Sequence, residues 1–204
     1  MASWPFRNQK QMGADMTPRI EPLRPPYAPE VAERLTAMMP PGEPPIRLFR
    51  TFVRNMPMTE AMAGWGGYEL SRRLSLPLRD REILIDRTCA RCGCEYEWGV
   101  HVAYFAGKAG LSGEQVASLA CGGASDPCWQ DPRDRLLINA ADALHDAADI
   151  GDELWSRLTL EFGVEQLLDL LMLCGWYHAI SFAANACRLA GEEAAPRFAD
   201  AVRG

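Results

Sequence analysis

Apolar side chains recur at three- and four-residue spacing along most of the chain from Ile46 onward, which is the pattern of amphipathic helices. Breaks in this pattern coincide with proline and glycine, as at Pro57, Pro77, Gly93 and Gly110. No run of alternating apolar and polar residues indicates a strand, so the pattern predicts an all-α fold. The predicted helices cover a short segment from Ile46 and residues 58–74, 78–92, 94–108, 112–121, 131–148, 152–162 and 164–189.

Two local signals refine this outline. Ser112 followed by Gln115 is the pattern of a capping box, and it predicts a helix start at this point. Residues 164–189 are nonpolar nearly all round, so we expect this longest helix at the centre of the fold or in a subunit interface.

Residues 1–45 differ from the rest of the chain. They contain ten of the fifteen prolines, among them three Pro-Pro pairs. Proline removes backbone donors and restricts the residue before it, so we predict an extended Pro-rich arm with one short helix at 29–39. The arm either wraps its own domain or a neighbouring subunit, or it is a partly disordered tail. Residues 46–204 form the helical domain.

The composition is that of a globular protein, with 48% hydrophobic and 24% charged residues and a net charge of −6. The negative charge argues against a nucleic-acid partner. No uninterrupted apolar window reaches the roughly 18 residues of a membrane span, and the N-terminus has no apolar signal region. The seven cysteines are an odd number, so we expect reduced thiols and a cytoplasmic location.

The richest chemistry lies between Glu82 and His101. If residues 94–101 are helical, Cys94, Glu97 and His101 share one face. A thiol, a carboxylate and an imidazole on one stripe can transfer protons or activate a nucleophile. A kink at Gly93 would bring Glu82 alongside, so these four residues are the predicted catalytic groups.

Other polar groups have simpler interpretations. Cys89 and Cys92 are expected to be core cysteines, and a zinc site from them with Cys94 and His101 is disfavoured because the spacing fits no standard finger. We therefore predict neither metal nor cofactor. His145 is expected at the surface or at a helix end. Four further side chains are candidate pocket residues or satisfied core groups: Tyr96, Trp98, Tyr177 and His178.

The string Cys94-x-Tyr96-Glu97-Trp98-x-x-His101, with Glu82 upstream and Ala109-Gly110-Leu111-Ser112 downstream, resembles the carboxymuconolactone decarboxylase family, which includes the alkylhydroperoxidase D-like proteins. The resemblance covers about residues 46–190. It implies an alkylhydroperoxidase D-like helical bundle that assembles as a homo-oligomer, a dimer, trimer or hexamer, with its site near subunit contacts.

The resemblance also implies roles. The peroxidase branch uses a Glu, a Cys-x-x-Cys pair and a His, and Glu82, Cys94 and His101 match three of these positions. Glu97 stands where the second cysteine would be, which disfavours a dithiol cycle. The decarboxylase-type branch carries the Tyr-Glu-Trp form and acts on small lactone acids from aromatic breakdown.

Three hypotheses follow. The first is an acid–base enzyme acting on a small lactone or carboxylated compound, with His101 and Glu97 shuttling protons. The second is a thiol-dependent peroxidase in which Cys94 attacks a peroxide. The third is a catalytically silent oligomeric binding protein on the same scaffold.

Overall fold

The computed structural model describes residues 17–201, and all the regular elements within this range are helical. The predicted all-α fold is therefore confirmed. The ten helices are α1 (Pro29–Ala37), α2 (Arg47–Phe52), α3 (Met56–Glu69), α4 (Leu78–Arg91), α5 (Glu95–His101), α6 (Gly113–Cys121), α7 (Pro132–Ala147), α8 (Asp152–Glu161), α9 (Val164–Cys187) and α10 (Phe198–Ala201).

Helix α4 lies at the centre of the bundle and packs against α5, α6, α7 and α9. Ile83, Leu84 and Ile85 are fully buried. Some buried charges on α4 are paired across helix interfaces, as where the Arg87 guanidinium donates to both carboxylate oxygens of Asp142 at 2.6 and 2.8 Å. This bidentate contact fixes α4 against α7.

Helix α9 is divided between interior and surface. Its inner face packs on the core through Leu170, Leu173 and Ile180, while Leu168 and Phe182 are exposed on the outer face. By length and composition alone α9 is apolar enough to cross a membrane, but more than half of its most apolar window is buried inside the protein. Such burial is expected of a core helix of a bundle.

The connection between α4 and α5 is a tight turn at Gly93. Gly93 has a φ of +61°, a left-handed conformation that costs glycine little. Cys94 follows as the residue that caps α5, with a non-helical ψ of 79°. Beyond His101 the helix widens into a π-helical turn at Val102–Ala106, and the chain leaves it at Gly110, φ +66°. The predicted breaks at Gly93 and Gly110 are confirmed, and the single helix predicted for 94–108 is shorter at both ends.

Residues 17–45 of the Pro-rich arm lie along the helical domain. The amide of Leu23 donates to the carbonyl of Arg50 at 2.9 Å, and that of Arg19 to the carbonyl of Cys187, also at 2.9 Å. The short helix predicted at 29–39 is α1. The part of the arm before residue 17 lies outside the described residues.

Local signals explain most of the helix bounds. The capping box of Ser112 and Gln115 is present with both reciprocal hydrogen bonds. The helix predicted at 58–74 begins earlier, because the Asn55 side chain caps it, and ends earlier, at Glu69. It ends early because the following turn is tied to α9 through Asp169, which accepts hydrogen bonds from both the amide and the hydroxyl of Ser75.

Candidate active site

A cavity of about 540 Å³ lies between the arm, the first three helices and the inner faces of α5 and α9. Most of its wall is apolar, with Phe49, Phe52 and Trp176 among the larger groups. The charged or imidazole side chains in its wall are Arg34, Glu97 and His101. A mostly apolar cavity with a few convergent polar groups is the usual form of a small-molecule site.

His101 is held from behind by α4. Its Nδ1 lies 2.8 Å from Oε2 of Glu82, and both side chains are almost completely buried. Oε1 of Glu82 accepts a hydrogen bond from Nε of Arg81 at 3.1 Å. The contact with Glu82 fixes the imidazole ring and leaves Nε2 directed toward the cavity.

On the cavity side, Nε2 of His101 has two polar neighbours. The Tyr177 hydroxyl from α9 lies 3.0 Å away, and Oε1 of Glu97 lies 3.6 Å away, one helical turn earlier on α5. Oε2 of Glu97 is buried and accepts no hydrogen bond from any residue in the described range. A buried carboxylate oxygen without a donor is costly unless a bound molecule satisfies it.

The charges around His101 decide its protonation. Burial alone would lower the pKa of His101, but the carboxylates of Glu82 and Glu97 outweigh burial and raise that pKa to about 10. At neutral pH the ring is therefore an imidazolium between two carboxylates, with Arg81 beyond Glu82. Two cations and two anions alternate along this row, which limits the electrostatic cost of burying them.

Asp86 lies one turn after Glu82 on α4 and is buried with both carboxylate oxygens unpartnered among the described residues. Burial, reinforced by the nearby Glu82 charge, raises the pKa of Asp86 well above its ordinary value. The neutral carboxylic acid is the form that suits this position, so Asp86 adds no further negative charge beside Glu82.

Cys94 does not border the cavity. It caps α5, and its thiol lies near Glu97, whose backbone amide and charge both affect the pKa of the thiol. The thiol is fully buried, and burial raises its pKa to about 12. The geometry therefore brings together Glu82, Glu97 and His101 from the predicted set, while Cys94 lies beside Glu97 but outside the cavity wall.

The predicted pocket residues also separate. Tyr177 borders the cavity, whereas Tyr96, Trp98 and His178 do not.

The three side chains outside the cavity wall have contacts elsewhere. The Tyr96 hydroxyl accepts a hydrogen bond from the amide of Leu48 at 2.9 Å and donates one to Glu192 at 2.6 Å, which is a structural role. Trp98 packs against Phe198 with ring centroids 4.9 Å apart, and His178 contacts His145 on the other side of α9.

Sequence reasoning missed Arg34 and Arg81. Arg34 borders the cavity from α1 and forms no ion pair within the described part of the chain. Its only signal was its place on a helix inside a proline-rich arm. Arg81 directly precedes Glu82, and adjacent charges on a helix do not normally face each other.

Residues 57–131 match the model of the carboxymuconolactone decarboxylase family. This segment is similar to that family. It contains Glu82, Glu97 and His101, so these charged groups at the cavity lie within the matched segment. The match is shorter than the 46–190 range of the resemblance stated from the sequence.

The fold has a relative among solved structures. The crystal structure of an uncharacterized peroxidase-related protein from Silicibacter sp. TM1040 superposes with a TM-score of 0.75 at 16% identity, covering 91% of this chain and all of the other. At this identity the likeness shows the fold. None of the curated proteins matches the chain.

Proposed function

We propose that this protein is an acid–base enzyme of the carboxymuconolactone decarboxylase type, which transfers a proton at carbon in a small carboxylated or lactone compound. The observation that carries the proposal is the pairing of Glu97 with His101 in the wall of an apolar cavity, with Oε2 of Glu97 unpartnered. A carboxylate beside a cation in an apolar site is suited to general acid–base catalysis.

The two groups have different roles. Because its pKa is raised to about 10, His101 keeps its proton at neutral pH and stabilises negative charge that develops on a substrate oxygen. Glu97 has the free oxygen, so it exchanges the proton with carbon. Loss of carbon dioxide from a carboxylate leaves an electron pair on carbon. The Glu97 carboxylate takes up one proton from solvent, passes it to that pair and returns to its ionised form.

Arg34 provides the complementary charge for the substrate. It is the cation in the cavity wall that has no ion-pair partner among residues 17–201. A guanidinium binds a carboxylate through two parallel hydrogen bonds. A compound with a carboxylate at one end and an apolar ring or chain fits this arrangement.

Thiol-dependent peroxidase activity has less support. The Silicibacter protein is described as peroxidase-related, and a peroxidase of this type requires a reactive thiolate. Here Cys94 is buried outside the cavity wall, and Glu97 takes the place of the second cysteine.

Hydrogen exchange at carbon tests the proposal. Full-length protein is incubated in D2O with a panel of small lactone acids and their open-chain forms, and NMR follows deuterium incorporation and loss of carbon dioxide. We expect Glu97→Gln to slow the reaction by about 10²- to 10⁴-fold. Glu95→Gln is the matched control, because Glu95 lies on the same helix and contacts the amide of Phe198 instead of the cavity.

Two outcomes contradict the proposal. Equal rates for Glu97→Gln and wild type would remove Glu97 from the chemistry. Binding of panel compounds without exchange or turnover would favour the binding-protein hypothesis.

We further propose that the chain assembles with copies of itself through the outer faces of α8 and α9. Leu160, Val164, Leu168 and Phe182 are between 57% and 85% exposed there. Large exposed apolar patches commonly mark protein interfaces. Light scattering of the wild type and of Leu168→Glu tests this, since the charged variant is expected to shift toward the monomer.

A further inference from the structure

Three side chains with metal-binding atoms meet where α4, α7 and α9 come together. Sγ of Cys92, at the end of α4, lies 3.8 Å from Nδ1 of His145, in the last turn of α7. The same Nδ1 lies 3.1 Å from Nε2 of His178 on α9. All three atoms are within 4.8 Å of one another, and the three residues are half-buried.

The orientation of His178 is that of a metal ligand. Its Nδ1 donates a hydrogen bond to the carbonyl of Cys174 at 2.8 Å, one turn earlier on α9. Nδ1 therefore carries the ring proton, and Nε2 presents its lone pair toward His145 and Cys92. Metal-binding histidines are commonly fixed in this way by a carbonyl behind the ring.

The separations of His145 Nδ1 from the other two ligand atoms suit a shared ion. Bonds of about 2.0–2.1 Å to nitrogen and 2.3 Å to sulfur at tetrahedral angles put two nitrogens about 3.3 Å apart and a nitrogen about 3.6 Å from sulfur. The two observed separations, 3.1 and 3.8 Å, differ from these values by a few tenths of an ångström. Side-chain rotations of that size leave the three helices in place.

The nearest cationic side chain is compensated by carboxylates. The Arg91 guanidinium near this cluster contacts both Asp142 and Asp146, so its charge is compensated. The side chain of Asn185 donates to the carbonyl of Cys92 at 3.0 Å and holds the end of α4 in position. The ligands thus come from three packed helices instead of a loop, which keeps the site preorganised.

We propose that Cys92, His145 and His178 form a binding site for a late first-row divalent metal ion, Zn²⁺ above all, with a fourth position open to solvent. One thiolate and two imidazoles are a borderline-soft ligand set, which Zn²⁺ and Co²⁺ accept and Mg²⁺ and Ca²⁺ do not. The site lies apart from the cavity, because Tyr177 faces the cavity while its neighbour His178 faces His145. It shares only Cys92 with the zinc set considered from the sequence.

Cobalt titration tests the site without reference to activity. Chelator-treated, reduced full-length protein is titrated with Co²⁺, and we expect one equivalent to produce cobalt–thiolate charge-transfer absorption that Zn²⁺ abolishes by displacement. Cys92→Ser is expected to remove that absorption. His145→Gln and His178→Gln are expected to weaken binding by more than about 100-fold, since loss of a group that only orients a ligand already costs 10- to 100-fold.

Cys128→Ser is the matched control, because Cys128 is another half-buried thiol, in the loop between α6 and α7. It is expected to leave the cobalt spectrum unchanged. The three ligand variants are compared only after circular dichroism shows the wild-type helical content, and the two histidine variants keep the test valid if Cys92→Ser does not fold. The proposal is overturned if wild type shows no thiolate absorption, or if the folded ligand variants bind Co²⁺ as tightly as wild type does.

Discussion

Glu97 and His101 face each other one helical turn apart on α5, with Oε1 of the carboxylate 3.6 Å from Nε2 of the imidazole. In the peroxidase branch that the sequence resembles, the position of Glu97 is a cysteine. A carboxylate beside an imidazolium cannot form a sulfenic acid or a disulfide, but it can exchange protons. Under the proposed function, this one side chain favours proton transfer over thiol chemistry at the row of buried charges.

Replacement of Arg34 tests how the substrate is recognised. We expect Arg34→Gln to raise KM for carboxylated substrates about 10- to 100-fold, because a hydrogen bond to a charged group contributes about 1.5–3 kcal/mol. The value of kcat is expected to change little, and Arg34→Lys is expected to recover part of the loss. Arg72→Gln, at an exposed arginine that does not border the cavity, is the control for a general charge effect. An unchanged KM for Arg34→Gln would exclude this residue as the carboxylate anchor.

The pH dependence of stability reports on His101. Its pKa of about 10 in the folded protein exceeds its ordinary value of 6.5, so its stabilising contribution is complete below pH 6.5 and is lost as the pH rises toward 10. We expect His101→Gln to lower the free energy of unfolding by more than about 3 kcal/mol at pH 6, because it leaves buried carboxylates uncompensated. The difference from wild type should shrink between pH 6.5 and 10 in urea unfolding experiments.

His145→Gln serves as the comparison for that experiment. In chelator-treated protein, burial lowers the pKa of His145 below its ordinary value, so this group titrates below the range in which His101 titrates, and the difference between wild type and variant should change little above pH 7. A pH-independent effect of His101→Gln would show that the imidazole is not held in its protonated form.

Peroxide treatment separates acid–base chemistry from thiol chemistry. Because burial raises the pKa of Cys94 to about 12, this group is a thiol and not a thiolate at pH 7. We expect dilute hydrogen peroxide to oxidise the half-buried Cys128 and Cys187 before Cys94, as measured by mass spectrometry of peptides. Cys94→Ser is expected to keep proton-transfer activity. Rapid sulfenic acid formation at Cys94 would instead support the peroxidase hypothesis.

Asp86 provides a second test of the charges behind the site. Because the pKa of Asp86 is raised by burial, the folded state favours the protonated acid, and the cost of keeping that proton grows as the pH rises above 3.8. We expect Asp86→Asn to unfold at the same urea concentration as wild type at pH 4 and at a higher concentration at pH 7. If the variant is instead less stable at pH 7 than at pH 4 relative to wild type, Asp86 is ionised in the folded protein.

Local sequence signals predict most of the helices, and they predict that Glu82, Glu97 and His101 lie close together. The capping box at Ser112 and the breaks at Gly93 and Gly110 depend on neighbouring residues, so the sequence alone was sufficient to place them. The contact between Glu82 and His101 follows from the turn at Gly93, which joins α4 to α5 and which the sequence predicts.

The remaining features depend on contacts between distant residues or on a shift of a single residue. Cys94 is one position before the helix starts, and its buried thiol lies outside the cavity wall although it is close to Glu97. Arg34 reaches the cavity from 63 positions before Glu97, and His145 meets His178 across two helices. Neither contact has a periodic pattern that reveals it.

The cavity combines parts of different origin. Glu97 and His101 lie in the matched segment 57–131, whereas Arg34, Phe49 and Phe52 precede that segment and Trp176 and Tyr177 follow it. Under the proposed function, mutations in the arm would change which molecule is admitted while Glu97 and His101 stay the same. Two proteins that share this segment would then differ in substrate and keep the same chemistry.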